Sequence, residues 1–315
     1  MKGLKRIALV AAIAAASSAQ AEMVSMDDAA LSTTTGQAGL TVDFNALDVS
    51  IAAIDYKDQG FLSIKDVVLG GGTGFGGPGD GILNNFRMTI DIAGDGSDLG
   101  ESRLGEEYIS TAASLVGGQV SGNYVAQTID DGDLVISIRA IDSTNLLQSV
   151  DYGLHIGSIG LGASTETEGA VTNGTTLVSD LNLTGYVGPI DIIIDGNDGG
   201  MNISAYFNAT GNLNLDFMAV STNLTVHNSR GTDQIWLGSA TKGTSMAHAQ
   251  VNISKVDNYQ SAGQTALALD IQNFEADIDL TSLTLGTFAG ADGRGIGDIF
   301  VTDLKLSAQT VVFGH

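Results

Sequence analysis

Short stretches in which apolar and polar residues alternate recur along most of the chain, and this period of two constrains the fold more than any other feature. Examples are "LTVDF" at 40–44, "DLVISIRAI" at 133–141, "NLNLDFMAV" at 212–220 and "DIDLTSLTL" at 277–285. A β-strand with one buried face and one solvent-exposed face has this alternation. The 42 glycines and 2 prolines are typical of strands joined by tight turns. We predict an all-β, mostly antiparallel fold with an elongated, sandwich-like or stacked-strand architecture.

Two further patterns concern the strands themselves. The run "IDIII" at 190–194 has a single polar residue and predicts a central strand. An Asp followed by an apolar residue and then x-Leu recurs in "SIKDVVL", "LVSDLNL" and "FVTDLKL", with Asp66, Asp180 and Asp303 at the shared position. This pattern indicates either a stacked array of repeats or a strand–turn–strand unit used more than once.

The first 21 residues have the order of a secretory signal peptide. Lys2, Lys5 and Arg6 precede an apolar run of about ten residues, and small residues lead up to Ala21. The apolar run is too short to cross a bilayer, which needs about 20 residues. We predict cleavage after Ala21, export to the cell surface, the medium or the periplasm, and no integral transmembrane helix after cleavage.

Charge and cysteine content exclude several classes of partner and site. The chain has a formal net charge of −23 with only 13 Lys and Arg residues, whereas a phosphate backbone is bound by clustered basic residues. We therefore predict no nucleic-acid partner. Cysteine is absent, so neither disulfides nor thiolate metal sites can form, and the fold must depend on packing and strand pairing.

Residues 22–39 differ from the rest because they contain a helix signal. Ser25 and Asp28 have the spacing of a capping box, which predicts one short helix before a glycine hinge. We place a β-rich domain at 40–315, with two abutting halves as an alternative division near 165–176. Residues 22–44 either pair as an arm with a sheet edge of a neighbouring protein or pack on their own sheet. The candidate assembly or hinge residues are Gly36, Gln37 and Gly39.

One short motif resembles a catalytic segment. "GTSMAHA" at 243–249 resembles the nucleophile segment of subtilisin-like proteases, with Ser245 at the nucleophile position. Ala249 stands where that family has Pro, and none of the four histidines is followed by Gly-Thr. Nucleophilic catalysis needs a base and an orienting acid in addition to the serine. We predict that the protein is not an enzyme.

Asp-Gly clusters suggest a metal alternative. Calcium prefers carboxylate oxygens on a turning backbone, but no cluster has the EF-hand register, and turn formation alone explains Asp-Gly pairs. We predict no cofactor, with calcium as the alternative. Its candidate ligands are Asp95, Asp98, Asp131, Asp133, Asp195 and Asp198.

The segment "MDDAALSTTTGQAGLTVDF" at 26–44 resembles the start of a family of exported proteobacterial pilus-system (FilA-like) proteins. Members share a Leu-Ser pair, then Thr-Gly-Gln-Ala-Gly and a strand. The resemblance implies a surface or pilus-associated role with protein partners in a pilus or envelope assembly, and it brings no catalytic residues.

These observations favour an extracytoplasmic structural or adhesive protein, with pilus or surface-filament association as one form of that role. The alternative is a secreted or periplasmic module that binds calcium, glycan or an apolar ligand. An outer-membrane β-barrel is the third candidate, although aromatic residues make up only 6% of the chain and such barrels carry aromatic girdles.

Overall fold

The computed structural model describes residues 39–72, 82–93, 125, 127–141, 149–172, 174–237, 244–260, 263–286 and 294–313. These residues form fifteen strands and one short 3-10 turn at Asp216–Met218, with no α-helix among them. The all-β, mostly antiparallel prediction is confirmed. The helix predicted within 22–39 lies outside the described residues, which begin at Gly39.

Thirteen strands form one large antiparallel sheet, and the two shortest form a separate pair. The strands are β1 Leu40–Phe44, β2 Val49–Lys57, β3 Phe61–Gly70, β4 Phe86–Ile92, β5 Leu134–Ala140, β6 Val150–Gly162, β7 Thr175–Ile194, β8 Met201–Phe207, β9 Ala209–Leu215, β10 Val220–His227, β11 Trp236–Leu237, β12 Thr244–Ser245, β13 Ala247–Asp257, β14 Thr265–Leu285 and β15 Arg294–Val312.

Three long strands hold the sheet together, because β7 and β14 each change partners along their length and β15 pairs with both parts of β14. The first part of β7 pairs with β6 and β9, and its last part pairs with β5 and β8. The first part of β14 pairs with β13 and the rest with β10, while β15 follows β14 along both parts. We name the order β2-β3-β6-β7-β9-β10-β14-β15 the first strand group. The second strand group is β1-β4-β5-β7-β8-β13-β14-β15.

β7 passes between the two groups at a bulge. Val187 lies opposite Phe207 and Ile190 lies opposite Ala205, so Gly188 and Pro189 together occupy the place of one β8 residue. Proline has no N–H to donate, and inside a sheet it is tolerated at a bulge. The change of partners therefore falls where the backbone has already left regular pairing.

β14 and β15 bend together at a second bulge. Ala276 pairs with Leu304 and Ile278 with Val301, so Thr302 and Asp303 both face Asp277. The fully buried Asp277 carboxylate accepts hydrogen bonds from the backbone N–H of Asp303 at 2.9 Å and of Arg230 at 2.6 Å. A side chain thus replaces pairing that the bulge removes.

The recurring Asp pattern marks backbone conformation. Asp66, Asp180 and Asp303 have φ values of 53°, 47° and 54°, and each lies inside a continuous strand rather than at a turn. Ser282, in the similar "LTSLTL" of β14, has a φ of 55°. Asp adopts the left-handed region more readily than most residues. The repeated motif therefore marks a residue whose backbone has the left-handed conformation within a strand.

One buried face of the second strand group is polar. Asp191 of the "IDIII" run is 1% exposed and more buried than any of its four isoleucines. It forms an ion pair with Arg139 at 2.9 Å and accepts a hydrogen bond from Ser137 Oγ at 2.8 Å. β7 is an inner strand, as the run predicts. The row of neighbouring, buried residues across the strands is Thr89, Ser137, Asp191, Ser204, Gln250 and Asn273.

The segment 165–176, the alternative division between two halves, connects β6 to the start of β7. These two strands pair with each other from Val150–Val187 to Leu161–Thr175. The strands on either side of this connection are therefore hydrogen-bonded to each other.

The left-handed conformation of Asp66 generates a test by substitution. Asp66→Gly should keep the stability of the protein close to that of the wild type, because glycine adopts positive φ without steric cost. Asp66→Val should be about 1–2 kcal/mol less stable than Asp66→Gly, because a β-branched residue is strained there. Urea unfolding measures the difference. Leu62→Val, on ordinary backbone of the same strand, is the control, and equal stability of the Gly and Val variants at position 66 would contradict the assignment.

Candidate interaction edges

The longest free strand edge belongs to β15. Among the described strands it pairs only with β14, which leaves one side of its 19 residues without a strand partner. Ile296, Ile299 and Phe300 are 58%, 46% and 59% exposed. Backbone N–H and C=O groups on such an edge can pair with another strand. β15 therefore combines open hydrogen-bonding groups with exposed apolar side chains.

At two of the four register shifts between β14 and β15, an Asp side chain of one strand accepts a backbone N–H of the other. Asp277 of β14 accepts from the backbone N–H of Asp303, and Asp298 of β15 accepts from the backbone N–H of Ser282 at 2.8 Å. In each case a carboxylate binds the left-handed residue of the opposite strand. The bulge at Thr302 and Asp303 divides β15 into a part before it and a part after it.

Arg230 fixes the middle of β15 from the loop after β10. Its guanidinium forms an ion pair with Asp279 at 2.6 Å and donates to the Val301 carbonyl at 2.9 Å and to Thr302 Oγ1 at 3.1 Å. Burial by itself would raise the pKa of Asp279, but contacts with Arg230 and His227 outweigh it and hold that pKa below its usual value. The pKa of Arg230 is raised by the Asp279 carboxylate. The centre of β15 is thus anchored to the loop after β10.

β1 and β2 form the opposite edge. In the described part of the chain β1 pairs only with β4, and β2 pairs only with β3 without a register shift. A single bridge from Leu47 to Leu83 lies between them. Ile51, Ile54 and Tyr56 of β2 are exposed. The strand pairing at this edge therefore has no register shift, and several of the exposed side chains on β2 are apolar.

Gly39 lies directly before β1 and is the one predicted assembly residue that can be placed. A Cβ at this position would lie 1.6 Å from Oδ1 of Asp91 in β4. Glycine therefore permits the close approach of β1 to β4, and no hinge motion is needed to explain it. Gly36 and Gln37 lie outside the described residues.

Asp133 and Asp195 come together because β5 pairs with β7, with Leu134 opposite Ile194. Asp133 is buried, and its two carboxylate oxygens accept the backbone N–H groups of Gly196 and Asp130, both at 2.8 Å. Such carboxylate-to-backbone bonds are typical of turns.

Asp195 and Asp198 stabilise the neighbouring turn. Asp195 accepts from the backbone N–H of Asn197 at 2.6 Å, and Asp198 accepts from that of Gly200 at 2.7 Å. Asp131 is exposed, and Asp95 and Asp98 lie outside the described residues. Within the described ranges, no group of three or more His, Asp or Glu side chains could hold a metal ion. The prediction of no cofactor, with calcium as the alternative, stays a prediction.

Ser245 and His248 have separate partners. Ser245 Oγ accepts the backbone N–H of Asn228 at 2.9 Å. His248 is fully buried, with Nε2 3.0 Å from Ser204 Oγ and Nδ1 2.9 Å from Asn273 Nδ2. Burial lowers the pKa of His248 to about 4, so this imidazole is neutral at pH 7. The sequence motif around Ser245 did not indicate this Ser204–His248–Asn273 row, which arises from pairing of β8, β13 and β14.

An apolar groove of about 320 Å³ lies between β3, β4, β5, β6 and β7. Its lining includes Leu69, Phe86, Ile138, Tyr152 and Ile190. Burial raises the pKa of Tyr152, whose hydroxyl donates to the carbonyl of Asn208 at 3.0 Å. The groove is the feature of the described residues that suits a small apolar ligand.

The fold and its edges define an all-β protein with one large antiparallel sheet and exposed strands on two sides. A family model described as a family of unknown function (DUF6160) matches residues 1–94, which include β1–β4. No curated protein and no solved structure matches the chain. The described residues contain no helix long and apolar enough to cross a membrane. The resemblance of 26–44 to pilus-system proteins stays a prediction.

Arg230→Met should loosen β15, because it removes the ion pair with Asp279 and two hydrogen bonds to the strand. We expect a loss of about 1 kcal/mol in unfolding free energy at pH 7, with solvent screening keeping it modest. The pKa of Asp279 is lowered from 3.8 in the folded protein, so this stabilisation is present above that pH and is lost as the pH falls below it. Urea unfolding at pH 7 and pH 3 tests both points. Lys255→Met, at an exposed pair, is the control, and an undiminished difference at pH 3 would argue against Asp279 as the partner.

Asp133→Ala should destabilise the protein by about 2 kcal/mol or more, because two backbone N–H groups at a buried carboxylate lose their acceptor. Asp131→Ala, in the same turn but exposed, should change stability by about 0.5 kcal/mol or less. Thermal unfolding with and without calcium separates the turn role from a metal role. A calcium-dependent rise in the midpoint that disappears in Asp131→Ala would support the calcium alternative instead.

Proposed function

We propose that the protein is an extracytoplasmic structural or adhesive protein that acts through strands at its sheet edges and catalyses no reaction. Association with a pilus or surface filament is one form of this role. The observation that carries the proposal is β15, a 19-residue edge strand on which several apolar side chains are exposed.

Strand addition is the recognition mode that fits such an edge. An added strand gains backbone hydrogen bonds, and its alternate side chains contact the exposed apolar residues. Proteins that function alone usually protect long edges with bulges, proline or charge. β2 contains no proline and pairs with β3 without a bulge, so neither of these two devices protects its edge. These features support a partner strand, and the predicted signal peptide supports a partner outside the cytoplasm.

A binding module for an apolar ligand is the second candidate, and the apolar groove favours it. The groove of about 320 Å³ is within the size range of small-ligand pockets, and its lining is almost entirely apolar. This candidate predicts a rise in the unfolding midpoint when a medium-chain fatty acid is added.

Immunogold electron microscopy of intact and sectioned cells tests the first candidate. With an antibody against the purified protein, we expect label on the outer cell surface or on surface filaments. A deletion strain is the control for antibody specificity. Label confined to the periplasm would refute the surface role, and together with a ligand-induced rise in midpoint it would support the binding module.

A further inference from the structure

The two exposed edges lie at opposite ends of the same strand orders. The first strand group begins with β2 and ends with β15, and the second begins with β1 and also ends with β15. Among the described strands, one side of the sheet thus presents β1 and β2, and the other side presents β15.

Strand direction makes these two sides compatible. Each group contains eight strands, and every neighbouring pair in it is antiparallel. With an even number of strands, the first and the last run in opposite directions. A second copy that continues the sheet, with the rotation that the sheet twist requires, would therefore bring its β1 and β2 antiparallel to β15. The alternation of strand direction in the sheet would continue across the contact.

The lengths of the two sides also agree. β1 and β2 run in the same direction and span 18 positions from Leu40 to Lys57, with one interruption between Phe44 and Val49. β15 spans 19 positions and is interrupted at Thr302 and Asp303. The part of β15 before its bulge belongs with β10 in the first group, as β2 does. The part after it belongs with the second group, as β1 does.

Local charge at the two edges is compatible with a second copy as the occupant. The whole chain has a net charge of −23, so two copies repel each other in general. β2 contains one acidic and one basic residue, and β15 contains two of each. The Asp43 carboxylate of β1 is paired with Arg87 of β4. The two edges are therefore close to neutral, and a contact between them places little like charge together.

We propose that the β1–β2 edge of one copy pairs antiparallel with β15 of the next copy, head to tail. This inference rests on the proposed function in treating the edges as interaction surfaces, and it names a second copy of this chain as the partner. A contact between two different surfaces leaves one of each free at the ends, so it adds further copies and forms a filament unless the rotation closes a ring.

Cross-linking of single-cysteine variants tests the pairing directly, because the natural chain has no cysteine. Ile54→Cys and Ile299→Cys full-length proteins are purified after export, mixed, and treated with a short bis-maleimide. We expect mixed dimers in at least fivefold excess over either homodimer. Leu161→Cys, on the inner strand β6 and 46% exposed like Ile54 and Ile299, is the control. Homodimers alone, or no cross-linking above this control, would overturn the head-to-tail pairing.

Sedimentation velocity supplies a second readout that does not need a cross-link. The wild-type protein should form larger species as concentration and salt rise, because salt screens repulsion between copies. Ile54→Lys and Ile299→Lys should each weaken self-association at least tenfold, whereas Leu161→Lys should not. Circular dichroism confirms that each variant is folded. Equal effects of the edge and inner-strand variants would contradict pairing through the edges.

The two proposals fail in different ways. A monomer at all concentrations whose label stays on the cell surface would overturn pairing between copies and leave the surface role with a different partner. Cross-linked mixed dimers from a protein found only in the periplasm would support the pairing and overturn the surface role.

Discussion

The long strands can serve two sets of partners only if the backbone bends without leaving buried hydrogen-bonding groups unpaired. β7 meets this constraint with Gly188 and Pro189, because proline has no N–H that would need an acceptor. β14 and β15 meet it with Asp277, whose buried carboxylate accepts the N–H of Asp303 that regular pairing would have used. The continuity of the sheet, and with it the position of both free edges, depends on these two solutions.

Polar contacts in the interior make the strand register specific. Burial of the Arg139–Asp191 pair costs desolvation energy, which close geometry and the hydrogen bond from Ser137 offset. A shift of β7 by one residue would turn Asp191 to the other face and leave Arg139 buried without its carboxylate. Isoleucines alone would tolerate such a shift better, because apolar contacts have no fixed direction. The polar row therefore selects one register among several that hydrophobic burial would allow.

The period of two was enough to predict an all-β, antiparallel fold, because alternation reports directly on a half-buried strand. The recurring Asp pattern was visible in the sequence, but its cause was not, since a left-handed residue inside a strand leaves no signal that differs from a turn. The contact between Asp133 and Gly196 joins residues that are 63 positions apart and depends on which strands pair. Free edges could not be predicted either. A free edge is defined by the absence of a neighbouring strand, and local sequence patterns do not indicate the order of strands in a sheet.

The order of the strands along the chain has a consequence for how the protein is made. β2 and β3 are adjacent in sequence and can pair as soon as both have been synthesised, whereas β15 follows more than 200 residues later. During synthesis, β1 and β2 therefore exist before β15 does. In the proposed head-to-tail pairing, the β1–β2 edge is therefore the contact surface whose strands are made first, and the surface on β15 is made last.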